Sequence, residues 1–197
     1  MTEPGDQRRA TAAARAAQLA TTHGLDGISL GALAGDLDMS KSGLAGLFGS
    51  KEGLQVAAVD SAADLFHRKV LDIGGEPGVD RLRNLLLGWI DYFNEFEGGC
   101  FLMTAAPAYA GRAGPVGTAV DRVLRASVQE LRNEIRLAQR LGEIDPEADV
   151  TDISFELHAY VSEANVTRQL FDDPKHRARA EAAIDRALAR LRPVDEG

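Results

Sequence analysis

Apolar residues recur at steps of three and four along almost the whole chain, and this one pattern excludes most folds. Val79, Leu82, Leu85, Leu86, Trp89, Ile90 and Phe93 form one such stripe. Val116, Val120, Val123, Leu124, Val128, Leu131, Ile135 and Ala138 form a second, Ile153, Leu157, Tyr160, Val161 and Ala164 a third, and Ala180, Ala183, Ile184, Ala187, Leu188 and Leu191 a fourth. No run alternates with period two for long enough to be a strand. The chain therefore reads as all-α.

Stop and start signals divide these helices. Gly74-Gly75-Glu76-Pro77-Gly78 reads as a loop and Gly98-Gly99 as a helix end. Pro115, after Gly114, suits a first helical turn, where its missing N–H is harmless. Gly142 reads as a C-cap, and Asp173-Pro174 as an N-cap followed by a first helical residue. The termini, residues 1–7 and 193–197, are expected to fray. The weakly polar stretch from Cys100 to Ala110 is broken by Thr104 and Pro107 and falls short of the roughly 20 residues of a membrane span.

Composition narrows the function classes. The 197 residues, 45% hydrophobic and 26% charged, are ordinary for a soluble globular protein. A net charge of -8 excludes a protein that coats nucleic acid with general basicity, but not a small DNA-binding face. The single cysteine, Cys100, excludes an intrachain disulfide framework and a multi-cysteine metal site, and fits a reducing cytoplasm. Arg8, Arg9 and Arg15 interrupt the Ala-rich start, so no signal peptide is read there. Up to residue 51, Arg8, Arg9, Arg15, Lys41 and Lys51 balance Glu3, Asp6, Asp26, Asp36 and Asp38; the rest of the chain carries the whole -8. The N-terminal quarter is thus the part least repelled by a polyanion.

That quarter contains a helix-turn-helix pattern at residues 29–48. Ser29 caps a short helix with an apolar face of Leu30, Leu33, Ala34 and Leu37. Asp38 sits at the turn and tolerates left-handed backbone better than most residues. Met39 plugs the turn, Ser40 caps a second helix, and Leu44 and Phe48 anchor it inward. Its outward start is Lys41, Ser42 and Gly43, small polar groups and a cation suited to phosphates and base edges.

Ser40-Lys41-Ser42-Gly43-Leu44 followed by Phe48-Gly49-Ser50-Lys51-Glu52-Gly53-Leu54 resembles the TetR (tetracycline-repressor-like) transcriptional regulators. His23-Gly24 and Ile28-Ser29-Leu30 match as well. Gly98-Gly99-Cys100-Phe101 and Phe155-Glu156-Leu157-His158-Ala159 look like one subgroup. The resemblance implies an N-terminal three-helix DNA-binding domain, residues 8–54, and a C-terminal bundle of about six helices, residues 55–192, for ligand binding and dimerisation. It further implies a cytoplasmic homodimer that holds a palindromic operator and is released by a small-molecule effector, with no cofactor, metal or membrane partner. Effector binding would tilt the helix that starts near Ser50 and spoil a half-site spacing of roughly 34 Å.

The DNA-binding candidates are Ser29, Leu30, Ser40, Lys41, Ser42, Gly43, Leu44 and Lys51. The effector candidates are Phe66, Trp89, Phe93, Phe101, Met103, Tyr109, His158 and Asn165; each can equally be core, and a buried His or Asn needs a partner in either case. Dimerisation is expected on the faces spanning Ile153–Leu170 and Ala180–Leu191, unless these stripes only complete the core. The sequence departs from the family at Ala45-Gly46-Leu47, where an aromatic and often a histidine are usual, at Asp38, where glycine is usual, and at Ala20, where a bulky aromatic is usual. Gly43 and Gly46 each cost the reading helix up to about 1 kcal/mol against Ala. A ligand-binding helical protein with a degenerate DNA head is therefore the alternative. No enzyme constellation is found: there is no phosphate-binding Gly-rich loop and no repeated Glu-x-x-His. His23, His67, His158 and His176 share no i, i+4 pairing, and Glu95 and Glu97 beside Cys100 disfavour a low-pKa sensor thiol.

Overall fold

The computed structural model describes residues 3–109 and 111–193. Among them are nine α-helices and no strand: α1 (Glu3–His23), α2 (Leu30–Asp36), α3 (Lys41–Phe48), α4 (Lys51–Phe66), α5 (Val79–Tyr92), α6 (Phe101–Tyr109), α7 (Pro115–Arg140), α8 (Val150–Phe171) and α9 (His176–Arg190). The all-α reading holds. Residues 1, 2 and 194–197, part of the termini expected to fray, lie outside the described residues; α1 already begins at Glu3, earlier than expected.

The chain forms two compact units. The first takes the helices up to Leu65 together with Phe96–Leu124; the second takes Phe66–Glu95 and the chain from Arg125 onward. The sequence boundary near residue 54 falls in the opening turn of α4, which runs on without a break.

In the first unit, Ala12, Ala13, Ala16, Ala17 and Ala20 line the buried side of α1. Alanine keeps a helix surface low, so neighbours approach closely. Gly98, just ahead of α6, donates its N–H to Thr21 Oγ1 at 3.1 Å. A Cβ there would lie 2.0 Å from the Thr21 carbonyl oxygen, so only glycine fits. The second unit has the larger side chains. Leu82, Leu86, Trp89 and Ile90 of α5, Leu131 and Ile135 of α7, Leu157 and Val161 of α8, and Ile184 of α9 are all at most 2% exposed. Each such side chain contributes about 1.5–3 kcal/mol by leaving water.

The helix boundaries largely follow the sequence signals. Pro115 opens α7, and Gly142 turns the chain beyond its end at φ +74°. Three details go beyond those signals. The helix α6 runs through Thr104 and Pro107, the two residues that break the weakly polar stretch. Thr104 donates its hydroxyl back to the Cys100 carbonyl at 3.1 Å, and Ala105 and Tyr109, on either side of the proline, are buried. The last helix starts at His176, not Pro174. Asp173 accepts from the Lys175 N–H through its side chain (2.9 Å) and from the His176 N–H through its carbonyl (3.1 Å), so it builds a separate turn first. Finally, α4 passes into a π turn, His67–Leu71, closed by the Asp72 N–H donating to the His67 carbonyl at 2.9 Å. Gly88 of α5 lies against it: a Cβ at this position would be 3.3 Å from the Lys69 carbonyl oxygen and 2.9 Å from Ile73 Cδ1.

No helix among the described residues is long and apolar enough to cross a membrane.

Candidate DNA-reading head and effector residues

The reading head is built by capping. Ser29 Oγ accepts from the Ala32 N–H at 3.1 Å and starts α2. The turn that follows places Asp38 at φ +51°, the left-handed conformation its sequence position demands. The Met39 N–H donates to the Ala34 carbonyl at 2.9 Å. Ser40 Oγ then accepts from the Gly43 N–H at 3.0 Å and starts α3. Ser50 repeats the device on Gly53 at 3.0 Å and starts α4. Each cap satisfies one helix-end donor and stabilises by about 1 kcal/mol.

Burial sorts the DNA-binding candidates. Lys41, Ser42, Gly43 and Ser40 are exposed at the N-terminal end of α3, and Ser29 and Leu30 are half-buried. Leu44 is fully buried, as Leu33 is on α2, and Phe48 is nearly so, so Leu44 packs inward rather than toward solvent. Lys51 is exposed, but its Nζ donates to the Asp26 carbonyl at 2.6 Å. Among the described residues Lys41 has no ion-pair partner, so its charge is available. The family departures are visible as shape: Gly46 is exposed with open space where a Cβ would go.

Two arginines support the head. Arg15 grips Asp36 with Nε and Nη2 at 2.5 and 2.8 Å and holds that carboxyl below the usual carboxylate range. This neutralises an acidic group at the end of α2. Arg9 lies 5.3 Å over the Phe48 ring and donates to the Leu47 carbonyl at 3.4 Å. A third feature was not read from the sequence. Asp26, in the turn after α1, accepts from the Tyr109 hydroxyl at 2.6 Å and from Arg112 at 2.9 Å. These bonds, Tyr109's first, depress the Asp26 pKa. Burial, aided by Asp26, pushes the Tyr109 hydroxyl up to about 12.

The effector candidates divide between the units. Phe101, Met103 and Tyr109 belong to the first unit, where Phe101 meets Phe96 at 6.1 Å and the Tyr109 hydroxyl is committed to Asp26. Phe66, Trp89, Phe93, His158 and Asn165 belong to the second. There the rings of Trp89 and Phe66 meet edge-on at 4.9 Å, those of Trp89 and His158 at 5.2 Å, and Tyr92, not among the candidates, meets Phe66 at 5.3 Å. Burial holds the His158 pKa below its usual value, so its imidazole is neutral at pH 7. Among the described residues no group of three metal-ligating side chains converges.

The stripes expected to dimerise are buried within the chain: Ile153, Leu157, Val161 and Ala164 on α8, and Ala180, Ile184, Ala187 and Leu188 on α9. Within the same span of α8 other apolar residues face out, and Leu141 and Phe171 are exposed beyond it. Phe155 is 78% exposed, Val166 40% and Leu170 73%. Phe155 and Val166 are eleven residues apart, close to three turns, so they sit in line, with Leu170 one turn further.

A capped helix-turn-helix with a cationic leading edge, on a chain whose second unit is all-helical and rich in buried aromatics, defines the class of helix-turn-helix DNA-binding regulators. The sequence profile of the tetracyclin repressor-like, C-terminal domain matches residues 78–184. The chain belongs to this family of transcriptional regulators, which are DNA-binding proteins and not enzymes. A TetR transcriptional regulator from Chloroflexus aurantiacus J-10-FL superposes with a TM-score of 0.82 at 24% identity, covering 96% of this chain and 98% of that one. AibR, solved with isovaleryl coenzyme A and operator DNA, gives a TM-score of 0.68 at 25% identity over 94% and 98%. A cysteine mutant of CifR, solved with a 26-base-pair operator, gives 0.70 at 27% over 93% and 95%. No curated protein matches the sequence.

Proposed function

We propose that this chain is a homodimeric repressor that holds a palindromic operator through residues 29–48 and lets go when a small molecule binds within residues 55–192. The observation that carries the DNA half is the serine-capped α3, which leads with an exposed Lys41 and Ser42 on a fully anchored base. Exposed N–H groups at a helix start, together with a cation, suit phosphate and base-edge contacts. AibR and CifR, similar over nearly their whole lengths, supply precedent for operator binding, and AibR for an acyl-thioester ligand. Phe155, Val166 and Leu170 support the dimer: an apolar row of this kind on a working protein is covered by a partner, and a C2 axis would set two such rows face to face. The proposed site of action is the cytoplasm.

A mobility-shift titration on DNA upstream of the chain's own gene, repeated over a salt series with random competitor, tests the reading. Sequence-selective binding with Kd on the order of 10⁻⁸ M and a steep salt slope is expected. Binding that random duplex competes away equally well rejects it. That result would favour the second reading, a ligand-binding protein with a degenerate head, which the open face at Gly46 motivates.

A further inference from the structure

The second unit contains one donor that the fold leaves unused. Trp89 is 2% exposed, and its Nε1–H has no hydrogen-bond partner among the described residues. A buried N–H without an acceptor costs about 1–3 kcal/mol, and native proteins rarely leave one so. The surroundings are aromatic: Phe66 lies at 4.9 Å and His158 at 5.2 Å. His158 turns its Nδ1 toward Ser162 Oγ at 3.5 Å. Arginines of this unit are engaged elsewhere: Arg81 with Glu134, Arg83 with Glu181 and Asp185, Arg177 with Asp91, Arg179 with Asp173, and Arg190 with Glu156.

Taking the effector-regulated reading as its base, we infer that Trp89 Nε1–H is the polar anchor of the effector site, and that the effector is an uncharged apolar molecule carrying a hydrogen-bond acceptor such as a carbonyl oxygen. An acceptor satisfies the orphan donor. The ring edges and faces of Phe66 and His158 suit an apolar body. Burial alone shifts His158, the ring beside Trp89, with no charged group contributing, so a carboxylate here would lack a cation to offset its desolvation. Access requires local movement. Neither the cleft of about 290 Å³ between α8 and α9 nor the one of about 590 Å³ at the start of α5 is lined by Trp89. Phe66, the residue just ahead of the π turn, is the wall able to move: a π turn carries one residue more than its α equivalent, and resetting it rotates α4's last residues relative to Trp89. Because only Gly49 and Ser50 separate α3 from α4, such a rotation has a direct covalent path to the reading helix.

Trp89 is the only tryptophan, so its emission reports this site alone. The full-length chain is titrated with cyclohexanone, with methylenecyclohexane, which has the same ring without the acceptor, and with hexanoate. The expected result is a saturable red shift with cyclohexanone, a Kd at least tenfold lower than for methylenecyclohexane, and hexanoate no tighter than the hydrocarbon. In Trp89→Phe, followed by ligand-observed NMR, the preference for the ketone disappears. If that variant does not fold, replacing Trp89 with β-(3-benzothienyl)alanine, which keeps the shape and lacks the N–H, makes the same comparison. Equal affinities, tighter hexanoate, no saturable response, or a ketone preference that survives loss of the N–H overturns the inference. A compound that frees operator DNA while Trp89 emission stays fixed also overturns it, yet leaves the repressor reading standing. Ketone-selective emission in a chain that selects no operator does the reverse.

Discussion

Ser40 ties recognition to local folding, because the hydroxyl that starts α3 also sets the position of Lys41 and Ser42. Ser40→Ala is expected to cost about 1 kcal/mol in urea unfolding and to weaken operator binding further than that loss of fold alone accounts for. Lys41→Gln should leave stability unchanged and reduce the slope of log Kd against log salt by about one, the signature of a lost phosphate contact. An unchanged slope would place Lys41 in solvent. His158 gives a pH prediction. Its folded pKa lies below the unfolded value of about 6.5, so between the two the unfolded chain holds the extra proton. Stability from this group is complete above pH 6.5 and declines as pH falls below it. The carboxyls held low, Asp26, Asp36, Asp149 and Asp185, act only at more acidic pH. Chemical unfolding of the wild type against His158→Gln at pH 7.5 and 5.5 should therefore show the slope only in the wild type.

Individual helices explain what the sequence made legible. Ser29, Asp38 and Ser40 announced the helix-turn-helix because capping and left-handed turns are local chemistry, readable from a few adjacent residues. The core stripe of α5 was legible for a similar reason: burial repeats with the helical period. The π turn at His67–Leu71 was not legible, since the residue it packs closely against, Gly88, is distant in sequence. The Asp26–Tyr109–Arg112 cluster was hidden likewise, because its partners are more than eighty residues apart. Residue type, and the segment where the resemblance places an effector pocket, could not assign Tyr109 to one unit and Trp89 to the other. Two glycines separate these cases experimentally. Gly46 sits in a helix interior with free space beside it, so Gly46→Ala should raise the unfolding free energy by about 0.5–1 kcal/mol. Gly98→Ala, meeting the Thr21 carbonyl, should lower it by about 1–3 kcal/mol. Thermal denaturation of both variants reads the opposite signs.

Across the whole molecule, assembly determines whether two heads can act together. Replacing Phe155 and Leu170 with Glu should convert a dimer to a monomer in sedimentation at micromolar concentration, without loss of helical circular dichroism, and should abolish tight operator binding. A wild-type monomer under the same conditions would reject the dimer. The bare outer face of α3, where Gly46 leaves only open space and Gly43 adds no side chain, has an informational consequence. Each bidentate side-chain contact to a base discriminates by about 1–3 kcal/mol, and this face offers few groups able to form one. Such a helix encodes few bits per half-site. A regulator built this way tolerates many spellings of its operator, and its output then depends on how many copies of the protein the cell keeps as well as on how much effector it meets.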